Sequence, residues 1–109
     1  MQPNQVVTAL GALAQEHRLA VFRLLVQAGP EGQAAGALAE TIGVSPSALS
    51  FHLTQLSHSG LIAQRREGRS IIYSANYTAM TALLGYLTEN CCGGEACAPA
   101  AAAPEAACC

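Results

Sequence analysis

The chain has 109 residues, 51% of them apolar and only 11% charged, with a net charge of −2. The length suits one domain with one core, and the composition excludes a disordered chain, which needs low hydrophobicity and high charge. No run of about eighteen apolar residues offers a membrane span, and the first residues lack the basic start and apolar stretch of a signal peptide, so a cytoplasmic protein with no membrane partner is expected.

An acidic total argues against a nucleic-acid partner only until its distribution is read. There is no lysine, three of the five arginines are Arg65, Arg66 and Arg69, and every charge beyond Arg69 is acidic. The cysteines are just as localised: Cys91, Cys92, Cys97, Cys108 and Cys109 all lie in the last nineteen residues. Without a secretion signal, such clustering favours reduced thiols with a metal or redox role over a disulfide framework.

In residues 5–28, Val6, Leu10 and Leu13 and then Leu19, Phe22, Leu25 and Val26 recur at three- and four-residue spacing, which predicts one or two helices. Gly29, Pro30 and Gly32 interrupt the pattern. A short helix follows over residues 34–42, with Gly43 placed as its C-terminal cap. Ser45 as N-cap and Pro46 at the first helical position open another helix running to about residue 59. At 100° per residue its leucines, Leu49, Leu53 and Leu56, share one side. Ser47, Phe51, Thr54 and His58 lie opposite, and Ser50, His52 and Gln55 flank them.

Gly60 stops that helix. Residues 61–66 then read as a strand, Glu67-Gly68 as a tight turn and residues 69–73 as a returning strand, which makes a β-hairpin carrying arginines at its tip. Helical spacing returns over residues 77–90, with Met80, Leu83, Leu84 and Leu87 as an apolar stripe. The Ala/Pro run of residues 98–107 has too few large apolar side chains to pack and is expected to be a flexible tail. The expected division is a folded domain over residues 1–90 and a cysteine-bearing segment with its tail over residues 91–109.

Two short helices joined by a Gly-containing turn, the second greasy inside and polar outside, make a helix-turn-helix. Leucines anchor such a helix while small hydroxyl and amide groups reach base edges in the major groove. The plainer alternatives are an αα-hairpin with solvated serines and an ordinary polar turn. A basic hairpin immediately after the second helix favours DNA, because it sits where it can grip phosphate or enter a minor groove. Ser47, Ser50, Phe51, His52, Thr54, Gln55, Arg65, Arg66 and Arg69 are the candidate DNA-contacting residues.

The combination of Ser50-Phe51-His52-Leu53, Gly60-Leu61-Ile62 and Arg65-Arg66-Glu67-Gly68-Arg69 resembles the ArsR/SmtB group of winged-helix metal-responsive repressors, over roughly residues 10–87. The resemblance implies a mainly α fold with a small β-hairpin (α+β), a winged helix-turn-helix, homodimeric through its first and last helices, facing palindromic double-stranded operator DNA. The stripe on residues 77–90, together with Val6, Leu10 and Leu13, independently offers more apolar surface than one small core can cover. No enzyme is expected: there is no Cys-x-x-Cys, no phosphate-cradling loop and no pair of catalytic carboxylates.

Some arsenic and cadmium sensors of the group carry Cys-x-Cys in the first helix of the helix-turn-helix, yet residues 32–42 hold no cysteine. Its zinc sensors use Asp and His on the last helix, and residues 77–90 hold neither. Cys91, Cys92 and Cys97 remain, and they resemble the C-terminal three-cysteine site of one arsenic-responsive branch. As(III) or Sb(III), soft and three-coordinate, is the expected inducer. Cys108 and Cys109 are expected to be auxiliary. Zinc, which prefers four ligands, cadmium and thiol oxidation are the competing readings of the same sulfurs.

Overall fold

A computed structural model describes residues 1–94. The chain runs α1 (Pro3–Leu13), α2 (Glu16–Ala28), β1 (Gln33–Ala34), α3 (Ala35–Ile42), α4 (Pro46–His58), β2 (Ile62–Glu67), β3 (Ser70–Ala75) and α5 (Tyr77–Thr88), and then a 3-10 turn, Cys91–Gly94. The three strands form one antiparallel sheet in the order β1-β3-β2. This is the expected α+β winged helix-turn-helix.

The N-terminal pattern resolves into two helices. Gln15 caps the second, its side chain accepting from the Arg18 backbone N–H at 2.9 Å, while Arg18 Nε donates to the Ala12 carbonyl at 2.7 Å and ties the helices together. Between α3 and α4 the left-handed Gly43 (φ 82, ψ 34) returns its N–H to the Ala39 carbonyl at 2.8 Å. Ser45 then accepts from the Ala48 N–H at 3.2 Å with Pro46 next in line, the cap the sequence predicts.

Leu25, Leu38, Leu49, Leu56, Leu61 and Val21 are fully buried at the centre, with Phe22, Leu53 and Leu83 around them. No polar or charged residue is buried among the described residues. With Val6 and Ala9 also buried, the core draws on all five helices and on the chain entering β2. Tyr77, at the start of α5, sends its hydroxyl to the carbonyls of Val26 (3.0 Å) and Leu25 (3.4 Å), fastening α5 to the end of α2. No helix is long and apolar enough to cross a membrane among the described residues.

Three details depart from the expectations. β1 adds a strand that two residues are too short to announce by alternation; it reaches β3 because Gly32, at φ 71, passes so close to the Tyr73 carbonyl that a Cβ there would collide with it. The hairpin turn sits one residue later than expected. Glu67 pairs with Ser70, leaving Gly68 (φ 62) and Arg69 as the two loop residues, so Arg69 stands at the tip and not on the returning strand. Finally, α5 ends at Thr88, not at residue 90, because Glu89 turns extended (φ −56, ψ 129) and Asn90 adopts φ 56, a conformation asparagine tolerates better than most residues.

Candidate nucleic-acid interface and cysteine turn

α4 presents its polar side outward, as the 100° spacing requires. Ser47, Ser50, Phe51, Thr54 and Gln55 are exposed, and Leu49, Leu53 and Leu56 are buried beneath them. Thr54 spends its hydroxyl proton on the Ser50 carbonyl at 2.9 Å, so outward it offers an oxygen acceptor and a methyl group. Ser45 and Ser47 approach each other through their hydroxyls at 3.3 Å.

His52 occupies a different position. It is half-buried on the flank facing α2, its ring centroid 5.6 Å from that of His17 and 5.9 Å from that of Phe51, and its Nδ1 is buried without a hydrogen-bond partner. Burial lowers its pKa below the ordinary value, helped by the positive charge of Arg18 and by His17. This neutral, inward-leaning imidazole supports the helix from within.

The wing arginines also divide. Arg65 donates from Nε to Glu67 Oε2 at 2.8 Å, and from its two terminal nitrogens to the carbonyls of Pro30 (3.2 Å) and Glu31 (2.7 Å). Its guanidinium is committed to holding β2 against the loop after α2. Arg66 and Arg69 are exposed, and neither is ion-paired among the described residues. Of the expected arginines, these two leave their guanidiniums in solvent. Sequence reading missed the anchoring role of Arg65, because its carbonyl partners lie 34 and 35 residues away.

Beyond α5 the backbone reverses hand. Asn90, Cys92 (φ 57, ψ 36) and Gly93 (φ 70, ψ 21) are all left-handed, and the exposed Cys91 and Cys92 bring their Sγ atoms to 3.6 Å. Adjacent side chains on a regular helix diverge by about 100°, so it is the left-handed step that draws the sulfurs together. Two metal–sulfur bonds of about 2.3 Å span a gap of 3.6 Å with an included angle of about 100°. The pair therefore fits a single soft ion. Cys97, Cys108 and Cys109 lie outside the described residues, and no group of three or more His, Cys, Asp or Glu side chains gathers as a metal site among the described ones.

The outer helices leave apolar surface uncovered. Val7 and Leu10 on α1 are 69% and 42% exposed, and Leu84 and Leu87 on α5 are 48% and 54% exposed. Leu13, Leu19, Phe22, Val26, Met80 and Leu84 line an open trough of about 280 Å³ between the end of α1, α2 and α5.

Comparison with known proteins places this arrangement. A family described as a helix-turn-helix domain matches residues 13–65. The chain is 40% identical over 80 residues to the nodulation protein NolR of Rhizobium meliloti, an alignment covering 73% of this chain and 63% of that protein, so the chain spans less than two thirds of NolR's length. It is 33% identical over 89 residues to the HTH-type transcriptional regulator YgaV of Escherichia coli, covering 82% of this chain and 88% of YgaV. Among solved structures, it superposes with a TM-score of 0.63 and 29% identity on the homodimeric winged helix-turn-helix DNA-binding domain of Mb0332 from Mycobacterium bovis, a possible ArsR-family transcriptional regulator, over 80% of this chain and 81% of that one.

Proposed function

Given that this chain belongs to the ArsR family of winged-helix transcriptional regulators, we propose that it is a homodimeric repressor of an arsenic-resistance operon, released from operator DNA when As(III) or Sb(III) is held by Cys91, Cys92 and Cys97. Ser47, Ser50, Phe51, Thr54 and Gln55 face the major groove, and Arg66 and Arg69 meet backbone phosphate beside it. Leu84 and Leu87, with the exposed apolar residues of α1, meet a second copy across a two-fold axis.

The observation that carries the inducer assignment is the 3.6 Å approach of the Cys91 and Cys92 sulfurs immediately after α5. Thiolate pairs select soft ions, and this pair follows the helix assigned to the dimer seam. Closing the chain after Thr88 around one ion alters that seam and thereby the spacing of the two α4 helices. Such a switch requires that ion and operator weaken each other's binding by the same factor.

Titrating the operator complex with arsenite, antimonite, zinc, cadmium and peroxide tests the reading. Arsenite and antimonite release the DNA, and serine in place of Cys91, Cys92 or Cys97 keeps repression while abolishing release. Operator affinity unchanged at saturating arsenite defeats the assignment. Loss of DNA binding in the serine variants makes the cysteines structural.

The same separation favours one rival, thiol oxidation. Two sulfurs 3.6 Å apart on an exposed turn can join as a disulfide, giving two electrons and two protons to peroxide, which leaves as water. Release by peroxide and not by arsenite selects that rival.

A further inference from the structure

Phe51 is out of keeping with its surroundings. It is 57% exposed on a helix whose leucines are all buried. Counted at 100° per residue, it lies within about 15° of the direction opposite those leucines, at the middle of the outward face. An aromatic ring gains by leaving water, so a ring held there suits a surface that α4 meets when bound.

The residues around it indicate which surface. Ser47, Ser50, Thr54 and Gln55 surround the ring with hydroxyl and amide groups. This mixture of hydrogen-bonding groups around one apolar centre matches the major-groove edge of an A·T pair, where the thymine C5-methyl stands beside the O4 acceptor and the adenine N6 donor. A hydrophobic protein partner would be met by a cluster of apolar side chains, and Phe51 is the one large apolar side chain that α4 exposes.

The ring is also buttressed. Phe51 stacks at a tilt of 59° on His52, and His52 at 55° on His17, so three rings run from the outer face of α4 inward to α2. With its Nδ1 buried and unpartnered, His52 contributes packing surface. That support limits the freedom of Phe51 to fold down onto its own helix.

We propose that Phe51 is a specificity-determining residue that reads a thymine methyl in each half-site, positioned by the His52–His17 stack. The proposal rests on α4 being the DNA-reading helix.

The test uses duplexes selected by the full chain from a random pool. Each thymine is replaced singly by deoxyuridine, which removes the methyl and keeps every donor and acceptor, and affinity is read by fluorescence anisotropy. At one position per half-site the replacement weakens wild-type binding roughly 4-fold, the effect of one methyl group, and roughly 15-fold when both half-sites are changed. Phe51→Ala binds thymine and uracil duplexes equally, while Phe51→Leu, which retains an apolar side chain, keeps a difference. Wild-type protein that binds its selected DNA but ignores every replacement overturns the proposal and leaves the DNA reading standing, as does a Phe51→Ala variant that keeps the preference. Failure to bind any duplex defeats both.

Discussion

α4 and α5 are close in length, 13 and 12 residues, and both are built around leucine. In α4 the three leucines are at most 3% exposed and the outward face, Phe51 apart, is hydroxyl, amide and imidazole. In α5 Leu83 alone is buried, while Leu84, Tyr86 and Leu87 remain in solvent at 48%, 37% and 54%. One helix is completed within its own domain and turns a polar face outward. The other keeps part of its apolar stripe in solvent. A helix's apolar count says how much it must bury; the geometry of the single chain says how much of that is already done.

Breaking the contrast at α5 has the largest expected effect. Leu84→Glu with Leu87→Glu changes exposed positions, so the subunit still folds, but sedimentation equilibrium finds monomers and operator affinity falls on the order of 100-fold as engagement of the second half-site ceases to be intramolecular. A double variant that stays dimeric removes α5 from the seam. At the wing, Arg66→Ala and Arg69→Ala each flatten the salt dependence of binding by about 0.9 log unit per log of salt for every phosphate that is no longer neutralised. Arg65→Ala leaves the slope unchanged, because its guanidinium is engaged with Glu67, Pro30 and Glu31; equal slopes for all three variants would erase the division between anchor and clamp.

Within α4 the effects are smaller. Ser45→Ala removes the cap bond to Ala48 and costs about 1 kcal/mol in chemical denaturation. His52 adds a weak pH dependence. Its folded pKa lies below the ordinary 6.5, so the unfolded chain binds the proton first, and stability present above that value declines as pH falls through it, levelling off below the lowered folded value. Thermal melts of wild type and His52→Gln from about pH 7.5 down to 5 show the steeper acid loss in wild type; parallel curves would mean that His52 is as well solvated folded as unfolded.

Much of this was legible from spacing alone. The leucine period of α4, the Ser45-Pro46 start and the Gly43 stop are local signals read within one or two turns, and the structure agrees with each. The strand β1, the anchoring of Arg65 and the inward lean of His52 depend on partners far along the chain, which no periodicity encodes. Before the cysteines, the helical spacing expected through residue 90 stops at Thr88. The left-handed step at Cys92 that closes the sulfurs to 3.6 Å requires backbone angles that cysteine does not advertise.

The end of α2 is gripped from two directions. Tyr77, the first residue of α5, holds the Leu25 and Val26 carbonyls in the last turn of α2, and Arg65 holds the loop just beyond from the middle of the hairpin. A tilt of α5 that carries Tyr77 therefore pulls on the same short stretch of backbone to which the hairpin is moored. Arg69 stands at the hairpin tip, two strand residues, roughly 7 Å, and the turn beyond that mooring, so a small rotation at the pivot becomes a larger sideways travel of the guanidinium at the tip.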